Sequence, residues 1–201
     1  MNILLATNNQ HKVDELSEIL TSFDLPITVI SQKTWFEGNS PEIDETGFTL
    51  EENALLKAQT LHALTSMPVI ADDTGLEVLT LGNAPGVHSA RYAGEHGNDA
   101  ANRQKLLHAL SDSSDRSARF RTILHFIDGQ SSFHVEGICE GHIAHHEIGE
   151  HGFGYDSIFI PKGETETFAE MSGERKHSMS HRARACIELG KRLSEHIQKT
   201  S

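Results

Sequence analysis

One short stretch, Pro68 to Gly75, limits most strongly what this chain can fold into. Its residues 69–71 are apolar and predict a buried strand, which runs directly into Asp72 and Asp73, followed by a hydroxyl and a glycine. Groups at the end of a buried strand emerge at the edge of the sheet, where open α/β folds bind their ligands. Adjacent residues of an extended chain point to opposite faces, so one acid can face a ligand while the other supports the structure. A nearby cation, most simply a metal ion, would relieve the repulsion between the two acids, although the stretch taken alone favours a plain strand-to-turn exit.

The pattern of apolar residues predicts strands and helices in alternation, followed by a long antiparallel pair. Strands are predicted at 3–6, 27–30, 69–71, 76–81, 118–127, 132–143 and 158–160, helices from residue 13 and at 50–66, 98–110 and 179–198, and a polar loop at 31–45. Thr49 and Glu52 have capping-box spacing before the second helix. Asp128-Gly129 is a hairpin signal. The mixture predicts one α/β domain with a mixed sheet, part of which projects as a second lobe.

Two polar segments of the first half are candidate anion-binding groups. Residues 7–12 bring a hydroxyl, amides and Lys12 to the amino end of a helix, where backbone N–H groups favour anions. The segment lacks the glycines of a P-loop, and taken by itself it favours a helix cap with a turn over a phosphate site. Asn53 and Lys57 share a helix face, but Lys57 could also be a solvated surface lysine.

Two segments of the second half are candidate groups for binding a base. Phe153 stands between two glycines in the stretch 152–156, and such a ring can lie flat against a base; a turn with a buried Phe is the alternative. Lys176, His181 and Arg182 stand before or in the first turn of the predicted last helix. Cations there oppose the helix dipole unless an anion or polar ligand lies among them.

Composition bounds the class of protein. The 201 residues carry a net charge of -12, which argues against general binding to nucleic acid or acidic membranes and requires local cations or a metal for an anionic ligand. Cys139 and Cys186 are expected to be reduced core thiols, and neither a signal peptide nor a membrane span is predicted, so the expected location is the cytoplasm. Four histidines lie close together in the sequence: His142, His145, His146 and His151. They could form a metal site, but we favour the alternative that they are ordinary surface residues.

Six motifs in order make the chain similar to a known family. They are Ala6-Thr7-Asn8-Asn9-Gln10-His11-Lys12, Glu45-Thr46-Gly47 leading to Glu52-Asn53-Ala54 and Lys57-Ala58, Ala71-Asp72-Asp73-Thr74-Gly75-Leu76, Pro85-Gly86-Val87-His88-Ser89-Ala90-Arg91-Tyr92, Gly152-Phe153-Gly154-Tyr155-Asp156, and Lys176 with Ser180-His181-Arg182. Over residues 5–193 the chain closely resembles the inosine triphosphate pyrophosphatase family, also described as xanthosine/inosine triphosphate pyrophosphatases.

The resemblance implies a hydrolase that converts aberrant purine nucleoside triphosphates (dITP, ITP and XTP) to the monophosphate plus pyrophosphate with Mg²⁺, clearing deaminated purines from the nucleotide pool. It also implies a homodimer, and from the net charge we expect neither nucleic acid nor a membrane as partner. Residues 1–201 would form a single α/β pyrophosphatase domain with an elongated mixed central sheet flanked by helices and two lobes with the active-site cleft between them. A non-catalytic nucleotide-binding protein and a Maf-like pyrophosphatase with another substrate are the alternatives.

The resemblance also implies roles for individual residues. Glu45 and Asp73 would ligate Mg²⁺, with Asp73 also the base that activates water, Asp72 assisting it and Lys57 adding charge; Asp44 competes with Glu45 as ligand. The substrate-binding residues would be Thr7, Asn8, Asn9, Gln10, His11 and Lys12 for the triphosphate, Thr74 for a phosphate or the sugar, and Phe153, Gly154, Tyr155, Asp156, Lys176, His181 and Arg182 for the base and sugar. His151 replaces a common family glycine and Asn8 a frequent one.

Overall fold

A computed structural model describes residues 1–200, without the side chains of His11 and Thr200. Its strands are β1 (Asn2–Leu5), β2 (Thr28–Ser31), β3 (Val69–Val78), β4 (Pro85–Gly86), β5 (Ser117–Ile127), β6 (Ser132–Ile143) and β7 (Phe159–Pro161). Its helices are α1 (Gln10–Thr21), α2 (Gln32–Trp35), α3 (Leu50–Thr65), α4 (Asp99–Ala109), α5 (Gly173–Met179) and α6 (His181–Thr200).

The strands form one mixed sheet in the order β2-β1-β3-β5-β6-β7, with β4 paired to β3. β1 pairs in parallel with β2 and β3, whereas β4 is antiparallel to β3 and β7 is antiparallel to β6. The predicted α/β class with a mixed central sheet and flanking helices is confirmed.

The chain divides by packing into two compact units, each assembled from separate segments. Unit 1 comprises Met1–Asp73, Thr122–Gly137 and the residues from Arg182 onward, and unit 2 comprises Thr74–Arg121 and Ile138–His181. β3, β5 and β6 therefore contribute residues to both units.

Unit 1 has helices on both faces of its strands, because successive strand residues point to opposite sides. Ile70 of β3 packs in one apolar cluster with α1 and α6, whereas Val69 and Ala71 pack in another cluster with α3. The residues of β1 alternate between the same two clusters. The alternation continues along β3, so Asp72 is directed to the side of α1 and Asp73 to the side of α3.

Unit 2 has its own apolar core, in which α4 packs against β3, β5, β6 and β7. The rings of Phe120 and Phe159 meet edge to face with centroids 4.7 Å apart. Arg116 lies buried beside this core and donates hydrogen bonds to the carbonyl oxygens of Leu110 and Ile143, each at 2.7 Å. The guanidinium thereby satisfies backbone acceptors at the end of α4 and of β6.

The prediction that a strand ends at Ala71 and a new one begins at Leu76 is wrong. β3 runs without interruption from Val69 to Val78, and residues 79–81 form a 3₁₀ turn. Asp72 and Asp73 therefore lie inside a strand, where each is buried and paired with a lysine. Because these lysines compensate the buried charges, the two acids need not end the strand.

Two other predictions of local structure are corrected. The loop predicted at 31–45 contains the short helix α2, whose N-cap Ser31 accepts a hydrogen bond from the backbone N–H of Thr34 through its side chain. The last helix was predicted to start at Met179, but the extended backbone of buried Ser180 separates α5 from α6. Lys176 therefore lies inside α5, and His181 and Arg182 begin α6.

Asp128 fixes the turn between β5 and β6 and links it to α6. Its Oδ1 accepts hydrogen bonds from the backbone N–H groups of Gln130 at 3.0 Å and Ser131 at 2.7 Å, and its Oδ2 lies 2.7 Å from Nε2 of His196. Burial opposes the charged carboxylate, but these hydrogen bonds outweigh that effect and lower the pKa of Asp128.

Replacing Asp128 by asparagine is expected to lower the free energy of unfolding at pH 7 by about 1–3 kcal/mol, as measured by urea denaturation. A carboxyl whose pKa is lower in the folded state contributes stability above its unfolded pKa and loses it as the pH falls through the folded value. The deficit should therefore shrink below about pH 4. Asp112→Asn, at an exposed position, is the control; a deficit that does not change with pH would contradict the role of the charge.

Candidate active site

Asp72 and Asp73 lie just beyond the carboxyl end of β1, which stops at Leu5 opposite Ile70 of β3. This is the edge at which α/β sheets bind ligands. The ammonium of Lys12 donates to Oδ2 of Asp72 at 2.5 Å, and that of Lys57 contacts Oδ1 of Asp73 at 3.2 Å. Lys12 belongs to α1 and Lys57 to α3, so the prediction that the two acids point to opposite faces is confirmed.

Lys57 joins two carboxylates. Its Nζ lies 2.7 Å from Oε1 of Glu45 and 3.2 Å from Oδ1 of Asp73, and its side chain is 13% exposed. Burial works against the ammonium, but the charges of Asp73, Asp72 and Glu45 outweigh it and raise the pKa of Lys57. The alternative that Lys57 is a solvated surface lysine is therefore wrong.

The start of α3 holds the segment that carries Glu45. Oγ1 of Thr49 accepts a hydrogen bond from the backbone N–H of Glu52 at 3.1 Å, which confirms the predicted N-cap. Oδ1 of fully buried Asn53 accepts from the N–H of Gly47 at 2.8 Å. A Cβ at Gly47 would lie 2.7 Å from that oxygen, so only glycine fits here. Glu45 is thereby held close to the helix that supplies Lys57.

The two acids of β3 differ sharply in how they hold charge. Burial alone would raise the pKa of Asp72, but Lys12, Lys57 and Arg182 lower it to about 2. Burial raises the pKa of Asp73 to about 6, because Lys57 only partly offsets it and Glu45 adds repulsion. Asp72 is thus held in its charged form. The charged form of Asp73, in contrast, would be stabilised by an added cation.

The neighbourhood of Asp73 suits a magnesium ion. Its Oδ2 is buried and has no hydrogen-bond partner among residues 1–200, and Glu45 supplies a second carboxylate on the same lysine. Within that range no group of three His, Cys, Asp or Glu side chains could hold a metal, and this includes the clustered histidines. Mg²⁺ is usually bound through one or two carboxylates together with water and substrate phosphates, so two acids fit this ion.

The segment after β1 is braced by residues that the sequence did not single out. Oδ1 of Asn8 accepts hydrogen bonds from Nε2 of Gln32 at 3.2 Å and from Oγ of Ser40 at 2.9 Å. With its oxygen occupied twice, Asn8 has its amide N–H₂ group available to donate to an anion. Oγ1 of Thr7 accepts from the backbone N–H of Asn9 at 3.1 Å.

The remaining residues of this segment form the first turn of α1. Nε2 of Gln10 donates to Asp14 at 2.8 Å, and the ammonium of Lys12 is engaged by Asp72. The side chain of His11 lies outside the described residues. Contacts of these residues with a triphosphate stay predictions.

In unit 2, Asp156 organises the glycine-flanked loop. Its Oδ2 accepts hydrogen bonds from the backbone N–H of Phe153 at 2.8 Å and from the ammonium of Lys176 at 2.6 Å. That ammonium lies 5.3 Å from the ring centroid of Phe153, which is 56% exposed, and 5.3 Å from that of Phe168. The exposed ring of Phe153 and the ammonium of Lys176 are thus held together on one carboxylate.

Replacing Gly152 by alanine is expected to weaken the base binding that the resemblance implies and so to raise the KM for ITP about tenfold. The added Cβ would lie 2.1 Å from Oδ2 of Asp156, and φ is +81° at this position. The close contact displaces the carboxylate that holds Phe153 and Lys176, and the positive φ adds backbone strain for a residue with a Cβ. Steady-state kinetics would measure the change, with Gly163→Ala as control, because its φ is +88° but nothing lies within 4 Å of the added Cβ. An unchanged KM would contradict this account of the loop.

The other predicted base-binding residues are buried or partly buried and contact other residues of the protein. Tyr155 is buried in the core of unit 2, and its hydroxyl donates to the carbonyl oxygen of Ser89 at 2.8 Å. His181 is buried in unit 2 and stacks on Phe120 with centroids 4.6 Å apart. In unit 1, Arg182 contacts Glu15 at 3.4 Å. Thr74 is half-buried in β3. The substrate contacts of these residues stay predictions.

The mixed sheet with its flanking helices and the paired acids and lysines of unit 1 define an α/β protein with a charged site at the carboxyl end of β1. The chain belongs to the Ham1 family, whose model matches residues 3–192, and the predicted resemblance is thereby confirmed. It is 48% identical over 188 residues to a dITP/XTP pyrophosphatase of Porphyromonas gingivalis, covering 93% of this chain and 94% of that one. It is 45% identical over 196 residues to a dITP/XTP pyrophosphatase of Bacillus licheniformis, covering 96% and 98% of the two chains.

A solved structure shows the same fold. The Ham1 protein of Staphylococcus aureus is similar with a TM-score of 0.89 and 37% identity, over 98% of this chain and 100% of that one. Among the described residues, no helix combines the length and apolar character that crossing a membrane requires.

Proposed function

We propose that this protein is a nucleoside triphosphate pyrophosphatase that hydrolyses dITP, ITP and XTP to the monophosphate and pyrophosphate. The observation that carries the proposal is the Lys57 ammonium joining Glu45 and Asp73, with Oδ2 of Asp73 buried and without a partner among residues 1–200. Relatives at 45–48% identity that are dITP/XTP pyrophosphatases support it.

The triphosphate would be bound by residues of unit 1. Thr7, Asn8, Asn9, Gln10, His11 and Lys12 would supply hydroxyl, amide, imidazole and ammonium donors at the amino end of α1. Glu45 and Asp73 would hold Mg²⁺, which when bound neutralises phosphate charge and stabilises the pyrophosphate leaving group. Both groups are needed because a protein of net charge -12 otherwise repels a triphosphate.

Asp73 would accept the proton of the attacking water. Its Oδ2 is the oxygen not engaged by Lys57, so it is available to accept that proton. Lys57 would hold Oδ1 and keep Asp73 oriented. Asp72 would assist from the opposite face of β3, where it fixes Lys12 near the triphosphate segment.

The base and sugar would be bound in unit 2 by Thr74, Phe153, Gly154, Tyr155, Asp156, Lys176 and His181. The resemblance also implies a base contact for Arg182, which belongs to unit 1. Phe153 would stack on the base. An ammonium has three donors, and Lys176 uses one for Asp156. The others would serve the 6-oxo group of the base, whereas the 6-amino group of ATP would leave them unpaired.

We also propose that residues 1–201 act as one pyrophosphatase domain, which works in the cytoplasm as a homodimer. The buried free thiols of Cys139 and Cys186 support a reducing compartment. Size-exclusion chromatography with light scattering would test the oligomeric state.

The deciding experiment is a panel of nucleoside triphosphates with purified protein and Mg²⁺, with pyrophosphate and orthophosphate measured separately. ITP, dITP and XTP should release pyrophosphate and the monophosphate far faster than ATP does. Release of orthophosphate with IDP would overturn the reaction assigned here. Faster turnover of TTP or UTP than of ITP would overturn the substrate class.

A further inference from the structure

Two charged residues on α4 hold the backbone of the loop that carries Phe153. Oδ2 of Asp99 accepts a hydrogen bond from the backbone N–H of Gly154 at 2.7 Å, and Nη1 of Arg103 donates to the carbonyl oxygen of Gly154 at 2.8 Å. Asp99 and Arg103 are one helical turn apart, so they present neighbouring side chains to the same glycine. Neither residue lies in the stretch 152–156.

The two contacts engage both polar backbone groups of Gly154, its N–H and its carbonyl oxygen. Gly154 has a φ of +61°, and a Cβ added there would meet nothing within 4 Å. Hydrogen bonds to ionised groups are stronger than those between neutral groups. The Asp99–Arg103 pair thus restrains both polar backbone groups of Gly154, alongside the hydrogen bond from the N–H of Asp156 to the carbonyl oxygen of Phe153 at 3.2 Å.

Arg103 is itself braced. Its Nε donates to Oε2 of Glu147 at 2.8 Å, and the same carboxylate oxygen accepts from the hydroxyl of Ser157 at 3.3 Å. Arg103, Glu147 and Ser157 line a cavity of about 220 Å³ together with Phe153 and Asp156. The brace therefore borders the same cavity as the ring and the carboxylate proposed to bind the base.

We propose that Asp99 and Arg103 are positioning residues that set the affinity for the purine base by holding Gly154, and through it the ring of Phe153. The inference rests on the proposed function. The ring is 56% exposed and is contacted by the ammonium of Lys176, so its orientation depends on its backbone together with this one contact. A loosened loop presents the ring in many orientations, and base stacking weakens because the ring must be reordered on binding.

The test compares Asp99→Ala and Arg103→Met with wild type in ITP hydrolysis. Each variant is expected to raise KM about tenfold or more and to change kcat less than about threefold, since charge-assisted hydrogen bonds hold the ring but not the reacting groups. Arg103→Lys, which keeps one donor, should restore part of the affinity. Controls are Gln104→Met on an exposed position of α4 and Lys191→Met, which removes one charge from a lysine that is 59% exposed.

Two inhibitors separate a local effect from a general loss of structure. Inosine has the base and sugar without phosphate, and inorganic tripolyphosphate has phosphates without a base. The inhibition constant of inosine should rise about tenfold in both variants, while that of tripolyphosphate stays within about twofold. An equal rise for both inhibitors, or for neither, overturns the proposal. If Arg103→Met does not fold, the near-isosteric Asp99→Asn serves as the test instead. In that variant the inhibition constant should rise for inosine only, and by less than in Asp99→Ala.

The failure of this inference can be told from that of the proposed function. Wild-type protein that binds ITP but releases no pyrophosphate contradicts the reaction alone, and the pair is then tested by the calorimetric affinity for ITP. Wild-type protein that hydrolyses ITP, with folded variants of unchanged KM, overturns the positioning role alone. Wild-type protein that does not bind ITP overturns both.

Discussion

Asp73→Asn is expected to reduce kcat for ITP by about 10³-fold, because the amide oxygen does not take the proton of the attacking water. The affinity for ITP measured by calorimetry should change less than about threefold, since Phe153, Lys176 and Asp156 keep their contacts with one another. The Asp73→Asn variant therefore distinguishes an enzyme from a protein that only binds nucleotides.

The matched control is Asp112→Asn, which makes the same chemical change at an exposed position and should leave kcat unaltered. A folded Asp73→Asn protein that still turns over ITP at more than about a tenth of the wild-type rate would contradict the assignment of the base. Loss of ITP binding together with turnover would instead point to a role for Asp73 mainly in holding the substrate.

Lys57→Met is expected to have the largest effect on stability. Removal of one partner from a buried ion pair costs about 3–5 kcal/mol, because the remaining charges stay uncompensated. Here two carboxylates, those of Glu45 and Asp73, would lose one shared cation. Urea denaturation without Mg²⁺ would measure the loss, and Lys191→Met serves as the control because that lysine is exposed.

The same variant tests whether these carboxylates bind the metal. Without the Lys57 ammonium, a divalent cation should stabilise the carboxylates of Glu45 and Asp73 more strongly. Mg²⁺ should therefore raise the melting temperature of Lys57→Met more than that of wild type. Turnover should nevertheless stay at least about a hundredfold below wild type, since Asp73 loses the contact that orients it. Equal shifts of the melting temperature would contradict the proposed ligands.

Local sequence patterns correctly predicted those structural features that depend only on residues close together in the chain. The Thr49 cap of α3 follows from spacing, and so do the opposite directions of Asp72 and Asp73. The uninterrupted course of β3 did not follow, because two adjacent acids end a strand unless lysines from other elements neutralise them. Those lysines stand 60 and 16 positions from their partners, a separation at which local spacing carries no information.

Part of the candidate site could not be predicted from the sequence because it depends on hydrogen bonds between residues far apart in the chain. Gln32 and Ser40 contact Asn8 across the chain, and Asp99 and Arg103 reach Gly154 over separations of 55 and 51 residues. No motif marks these residues, since each acts through the backbone or the amide of another residue. The motifs predicted which residues would touch a substrate, whereas only the fold reveals which residues hold them in place.

The composition of unit 1 from three chain segments has a consequence for synthesis on the ribosome. Its largest apolar cluster joins β1 and α1 to Ala185, Cys186, Leu189 and Leu193 of α6. A nascent chain that has emerged only as far as residue 181 has both segments of unit 2 but lacks this helix. The part of this apolar cluster that α6 covers then stays exposed until α6 appears, and this interval is when a chaperone would have most to protect.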